Sequence, residues 1–212
     1  MPILSPKTHN LTEKNFRIVL MVLKICTGDL RGKTLTSTNT ARELRPTQAL
    51  LREAIINTCL SFFDFDLSEK RVLDVFAGTG AVGFEFMSNH AKEVTFIERD
   101  FKCVKLLKTN IENLNLNAVA TTIPLDINKA IPKISKKKFE IIFLDPPYKL
   151  NQENFEKIVE SLIAAKLLAE RSLLIIESGS DNWESRSFGG CLAELNLVKE
   201  KNYGDSSVFF YT

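Results

Sequence analysis

Val72-Leu73-Asp74-Val75-Phe76-Ala77-Gly78-Thr79-Gly80-Ala81-Val82-Gly83 decides how this chain folds. Val72 to Phe76 is predicted to be a strand. A glycine-rich turn follows at once and opens onto a helix over Ala81 to Asn89. The glycines fit the G-x-G-x-x-G pattern, and an acid, Glu98, lies twenty residues after Gly78, so a dinucleotide-binding reading follows. Gly78 and Gly80 let backbone approach a ligand closely, and Gly83 lets the helix pack on the strand. Glu98, closing the next strand, can accept from both hydroxyls of a ribose. A phosphate-cradling P-loop is excluded, because no Gly-Lys-Ser/Thr follows the glycines.

Working outward, strands and helices alternate. Val94 to Ile97 is a strand, and Phe101 to Leu114 a helix with Val104, Leu107 and Ile111 inward. A short strand lies near Val119 to Ile123, and the apolar run Phe139, Ile141, Ile142, Phe143, Leu144 is another strand, ending at Asp145. Phe155 to Leu168 is a helix and Leu173 to Glu177 a strand. The chain closes as a hairpin, Leu195 to Asn202 and Val208 to Tyr211 about a Tyr203-Gly204-Asp205 turn. Such alternation predicts an α/β domain with a doubly wound parallel sheet and an antiparallel strand at the end. Ligands of these sheets sit at the carboxyl ends of the strands, where Asp74 to Gly80, Glu98, Asp126 and Asp145 gather. Upstream, Arg45-Pro46-Thr47 starts a helix running to Phe62, with Thr47 as N-cap. The two glycines of Cys26-Thr27-Gly28-Asp29-Leu30-Arg31-Gly32-Lys33 predict a hairpin or a turn between short strands. Phe62, Phe63 and Phe65 form a hydrophobic seam between this arm and the sheet.

Bulk properties narrow the classes. The 212 residues suit one medium domain plus an appendage, with ordinary hydrophobic (44%) and charged (25%) content. Apolar runs are far too short to span a bilayer, and residues 1–20 carry charges throughout with no signal-peptide h-region, which predicts a cytoplasmic protein. Cys26, Cys59, Cys103 and Cys191 are widely spaced, fitting reduced thiols and neither a disulfide framework nor a zinc site; no metal is expected. His9 and His90 are the two imidazoles, and neither stands beside a partner for nucleophilic catalysis. Charge is unevenly spread: residues 1–52 hold nine Lys/Arg against three acids, a surplus of +6, and the other 160 residues carry −4. A nucleic-acid-facing amino-terminal segment needs such a bias.

Asp145-Pro146-Pro147-Tyr148 carries the chemistry. Proline fixes its own φ and pushes the preceding residue toward extended geometry, so this strand-end platform is stiff. The Asp145 carboxylate and the Pro146 carbonyl can together hold an amino group, while Tyr148 covers a planar ring. That describes a holder for the exocyclic amine of a base. Asp74 points the same way, since a carboxylate within the glycine loop repels a pyrophosphate and suits a cationic ligand. S-adenosylmethionine, with a sulfonium, an ammonium and a ribose but no phosphate, meets that requirement.

With these residues in hand, the chain resembles the class I S-adenosylmethionine-dependent methyltransferases. Ile25 to Leu35, Leu44-Arg45-Pro46-Thr47, Arg52-Glu53-Ala54 and Lys201 to Ser206 are similar to the RsmD family, whose members methylate the exocyclic amine of a guanine in bacterial 16S rRNA. The resemblance covers roughly residues 21–212. It implies a seven-stranded Rossmann-like methyltransferase sheet with a terminal antiparallel hairpin, divided as a short N-terminal extension (1–20), a basic arm (21–62) and the methyltransferase domain (63–212). Met21 lies where members tend to begin, so residues 1–20 are expected to be an extension or an over-long start. The resemblance further implies that Asp74, Phe76, Gly78 and Gly80 line the cofactor, that Glu98 binds its ribose and that Asp126 faces its adenine. Asp145, Pro146 and Tyr148 would hold the target guanine. Arg31, Lys33, Arg45 and Arg52 are the expected phosphate contacts on 16S rRNA or an assembling small subunit. Gln48-Ala49-Leu50 departs from the family's usual polar–Asp–basic triplet. Three other readings compete: amino-group transfer to DNA adenine or a protein glutamine, a nicotinamide-dependent oxidoreductase on the same glycines, and a catalytically silent RNA-binding protein.

Overall fold

The computed structural model describes residues 22–37, 46–179, 192 and 195–212. The predicted extension, Arg45 and the Arg45–Pro46 helix start therefore fall wholly or partly outside the described residues. Seven strands, β1 (Arg71–Val75), β2 (Glu93–Ile97), β3 (Ala120–Ile123), β4 (Phe139–Leu144), β5 (Leu168–Gly179), β6 (Leu197–Tyr203) and β7 (Ser206–Tyr211), form one sheet in the order β3-β2-β1-β4-β5-β7-β6. The first five run parallel, and β7 is antiparallel to both β5 and β6. Strand order reverses between β1 and β4, which places the crevice of a doubly wound sheet over their carboxyl ends.

Helices α1 (Pro46–Phe62), α2 (Ala81–Ser88), α3 (Phe101–Asn113), α4 (Ile127–Ile134) and α5 (Gln152–Ala164) cover the sheet. Two apolar cores result. On one face Val72, Phe96, Ile141, Phe143, Leu173 and Ile175 pack with residues of α1 to α3; on the other Leu73, Val75, Ile142, Leu144, Leu174 and Ile176 pack with α4 and α5. The strict alternation along each strand is the pleat's period of two. The arm joins the first core: Leu23, Ile25, Leu35, Leu51, Ile55 and Ile56 are each at most 3% exposed. Its glycines do make a hairpin turn, with Lys24 and Thr34 bridged antiparallel and Gly32 N–H donating to the Ile25 carbonyl at 2.8 Å.

Several boundaries differ from expectation. Helix α4 has no counterpart in the sequence reading, because it is eight residues long and carries Pro132; its stripe is Ile127, Ala130 and Ile134, capped by Asp126. The helix predicted to reach Leu168 stops at Ala164, since Lys166 turns left-handed (φ 53°) and Leu168 already pairs with Phe139. Thr47 lies inside α1, whose first residue is Pro46, a position that tolerates the missing N–H. The phenylalanine seam is narrower than predicted: Phe63 is buried and meets Phe62 edge-on at 4.8 Å, but Phe65, at φ 64°, is 78% exposed.

Candidate active site

Parallel register assembles the site. Asp74 pairs with Phe143, Leu144 with Ile176, and Asp145 and Glu177 are the next residues on their strands. Asp74, Asp145 and Glu177 therefore fall on the face shared by Phe143 and Ile175, the side covered by α1 and α2. Asp74 is 2% exposed, and its Oδ2 accepts from Gly83 N–H at 3.0 Å. Burial pushes its carboxyl well above the usual carboxylate range; the Gly83 hydrogen bond opposes this, and the Asp145 and Glu98 charges add to it. Gly83 has no room for a side chain, since a Cβ there would lie 2.2 Å from the Phe96 ring. Between strand and helix the loop twists repeatedly through left-handed conformations, at Phe76 (φ 63°), Gly78 (φ 56°) and Gly80 (φ 79°). Phe76 is a bulky residue in that region, a local strain characteristic of ligand-binding turns.

Two adjoining hollows open at the crevice and share Phe76, Gly78 and Asp145. The first, about 240 Å³, lies over Asp74 and Glu177 and is roofed by Leu23, Gln48 and Arg52 from the arm. The second, about 370 Å³, combines Glu98 and Asp126 with the apolar Ile97, Leu125 and Ile127. Glu98 is held at both oxygens, Oε2 accepting from Gly78 N–H at 2.8 Å and Oε1 from Asp100 N–H at 2.7 Å. Asp126 caps α4 through Asn128 N–H at 3.1 Å, and its other oxygen meets Arg99 at 3.3 Å. One hollow thus offers buried acids, the other a flat apolar slot edged by acids.

The sequence-predicted residues divide accordingly. Asp74, Phe76, Gly78, Glu98, Asp126 and Asp145 all line these hollows; Gly80 is buried behind them at the α2 N-terminus. Pro146 is buried, while Tyr148 is 61% exposed and borders neither hollow. Arg31 and Lys33 are exposed on the hairpin. Arg52 does not suit a phosphate contact. Its side chain is 6% exposed, its Nε donates to Glu85 at 3.3 Å, and its Nη2 donates to the Lys24 carbonyl and Cys26 Sγ. Glu85, fully buried, also accepts from Cys26 N–H, Thr27 N–H and Thr27 Oγ1 within 2.9 Å. Two residues escaped the sequence reading, Glu85 and Glu177, and Gln48 entered it only as a departure from the family's pattern. Glu177 had a signal, being an acid that ends an apolar strand just as Asp145 does.

An acid-lined crevice on this strand order defines the class, a Rossmann-like methyltransferase fold. A hypothetical protein of Thermus thermophilus superposes with a TM-score of 0.71 at 26% identity, over 89% of this chain and 98% of that one. A methyltransferase structure complexed with SAH shares the fold alone, with a TM-score of 0.63 at 15% identity over 78% of this chain and 49% of that one. The model of the family described as conserved hypothetical protein 95 matches residues 23–212, and the chain belongs to that family, the RsmD methyltransferases. Ribosomal RNA small subunit methyltransferase D of Haemophilus influenzae is 30% identical over 200 residues, spanning 89% of this chain and 93% of the relative. The protein of the same name from Escherichia coli K12 is 29% identical over 163 residues, 76% of each chain.

Proposed function

We propose that the protein transfers a methyl group from S-adenosylmethionine to the exocyclic 2-amino group of a guanine in 16S ribosomal RNA, as a free strand or within an assembling small subunit. The observation that carries this reading is the position of Asp145, on the rim common to both hollows. A group held there would stand beside a donor laid across both hollows, its amino-acid end over Asp74 and its nucleoside end over Glu98 and Asp126.

The donor set suits that cofactor. Asp74, Glu98 and Asp126 supply carboxylates, and among the described residues the arginines that line the hollows, Arg52 and Arg99, are each paired with an acid. Such a lining repels a pyrophosphate and favours a ligand with cationic groups and a ribose, which weighs against a nicotinamide dinucleotide. Asp74 would take the ammonium, Glu98 the ribose hydroxyls and Asp126 the adenine amine. When bound, S-adenosylmethionine supplies an electrophilic methyl carbon on a positively charged sulfur.

The chain's own residues prepare the acceptor. A guanine amine is a weak nucleophile because its lone pair is delocalised into the ring. Asp145 and the Pro146 carbonyl would accept hydrogen bonds from its two N–H groups, turning that lone pair toward the donor. Asp145 would then take up the proton that the amine sheds on gaining the methyl group that the bound cofactor would supply. Positioning and electrostatics supply most of the acceleration.

Incubation with labelled S-adenosylmethionine and, in parallel, 16S rRNA, small subunits, DNA and protein extract tests the reading. Label recovered as N2-methylguanosine from the RNA or the subunits is the expected result. Label in DNA adenine or protein glutamine, or in none of them, overturns it.

A further inference from the structure

Resting on the reading above, an RNA strand that delivers one base to an acid-lined crevice has to be held outside it, and the outer face of α3 has the chemistry to do so. Residues three, four and seven apart share a face of a helix. Val104, Leu107 and Ile111 point inward and are buried, which leaves Phe101, Lys105 and Lys108 in line on the outside with Lys102 beside them. All four are exposed, the Phe101 ring to 80%. Among the described residues the three lysines enter no ion pair and no side-chain hydrogen bond. Asp100 caps the helix with its charge near Lys102, and Glu112 is the helix's own acid. Three lysines against one acid stand out in residues 53–212, which together carry −4.

Two contacts place this face between the crevice and the arm. Asp100, the neighbour of Phe101, lines the second hollow, so the exposed ring stands at the crevice rim. Further along, Asn110 is 1% exposed and bonded to the arm in both directions. Thr36 N–H donates to its Oδ1 at 2.8 Å, and its Nδ2 donates to the Thr36 carbonyl at 2.9 Å. Arm and α3 therefore pack together on one face of the sheet. Lys129, Lys133 and Lys136, on and just after α4, form a second run of exposed lysines. That helix packs on the opposite face, away from the arm, and contains no aromatic residue.

We propose that the outer face of α3 is a track for the RNA strand flanking the target nucleotide. Lys102, Lys105 and Lys108 contact its phosphates, and Phe101 stacks against a base beside the crevice. Lysine is a flexible point charge, suited to backbone contacts that carry no sequence information. An aromatic ring accepts the face of any base. The track thus adds a second, sequence-tolerant grip to that expected of the arm.

The test titrates the full-length protein against 16S rRNA at several salt concentrations. Removing Lys102, Lys105 and Lys108 together by Ala substitution is expected to reduce the salt slope by about 2.1–2.7, at 0.7–0.9 per phosphate contact. The triple Ala variant at Lys129, Lys133 and Lys136 removes the same net charge from the other face and should keep the wild-type slope. Phe101→Ala should weaken binding about 10-fold at an unaltered slope, the scale of one stacked base, and Phe101→Trp should restore it. An α3 triple variant with the wild-type slope, or equal losses in the two triple variants, overturns the track; unchanged affinity in Phe101→Ala overturns the stack. Melting temperatures, expected to hold at such exposed positions, show that each variant is folded. A wild-type protein that neither binds nor labels 16S rRNA would instead sink the function proposed above.

Discussion

At the scale of single residues, two acids with similar chemistry do different work because one is sealed and the other sits on a rim. Asp145 borders both hollows, so its loss should strike the transfer step and spare the cofactor. Asp145→Ala is expected to lower kcat by about 10²–10³-fold, the usual scale for removing one preorganised polar contact. The S-adenosylmethionine dissociation constant should change less than about three-fold, since the charge-assisted contacts to that ligand lie elsewhere; single-turnover kinetics and calorimetry measure the two. Asp74 is sealed, and burial raises its carboxyl well above the ordinary 3.8. Sign follows from linkage: the unfolded chain ionises first, so the folded state loses stability as pH climbs from about 3.8 through the raised value. Asp74→Asn keeps an acceptor for Gly83 N–H and carries no charge. Its apoprotein should match wild type in acid and exceed it progressively toward neutral pH, as denaturant midpoints across a pH series would report. On the proposed assignment of the cofactor's ammonium to Asp74, the same variant should also bind S-adenosylmethionine more weakly.

Among elements, the joint between arm and sheet is the least expected feature. Glu85 of α2 gathers Cys26 and Thr27 of the hairpin and Arg52 of α1 around one carboxylate with no exposure. Gly28 docks so tightly that a Cβ would sit 2.0 Å from the Ser88 carbonyl oxygen. Removing one member of a buried ion pair strands the other charge and typically costs about 3–5 kcal/mol. Arg52→Ala should therefore lower unfolding free energy on that scale. If Arg52 served as a phosphate contact instead, the variant would fold normally and bind RNA with reduced salt dependence; urea denaturation separates the two. This joint also explains what sequence could and could not show. Strands β1, β2 and β4, helix α3 and the terminal hairpin were legible because apolar periodicity and turn glycines are local signals. Asp74, Glu98 and Asp145 were legible as acids at strand ends. Helix α4 was not, because eight residues with an internal Pro132 give too little period to register. The buried pairing of Arg52 was not legible, since its partner Glu85 is 33 positions away and only the packing of α1 on α2 turns two ordinary charges into a buried pair. Phe65 failed for the opposite reason, a left-handed turn that ejects an apolar ring.

For the whole molecule, the question is how a nearly neutral protein would grip a polyanion. The answer lies in charge placement: +6 within residues 1–52 against −4 in the remainder. The described crevice is acid-lined, so on the proposed function the affinity for RNA would be supplied by the basic arm, beside the α3 lysines. The hairpin presents Arg31 and Lys33 to solvent, and Arg31 borders a polar hollow of about 400 Å³ with Thr27, Asn57 and Asn89. Through Glu85 that hairpin is bonded to α2, whose N-terminus is the glycine loop. The exposed hairpin and the glycine loop are thus tied to the same helix, α2. Each phosphate neutralised releases counterions, so the logarithm of affinity falls with the logarithm of salt by about 0.7–0.9 per contact. Replacing both Arg31 and Lys33 by Ala should reduce that slope by about 1.4–1.8 and weaken RNA binding across sequences alike. Exposed positions of this kind rarely change stability by more than about 0.5 kcal/mol, so melting temperature and S-adenosylmethionine affinity should hold. Binding titrations of wild type and variant against 16S rRNA at several salt concentrations provide the comparison. Superimposable slopes would mean that the arm's charge serves something other than phosphate contact.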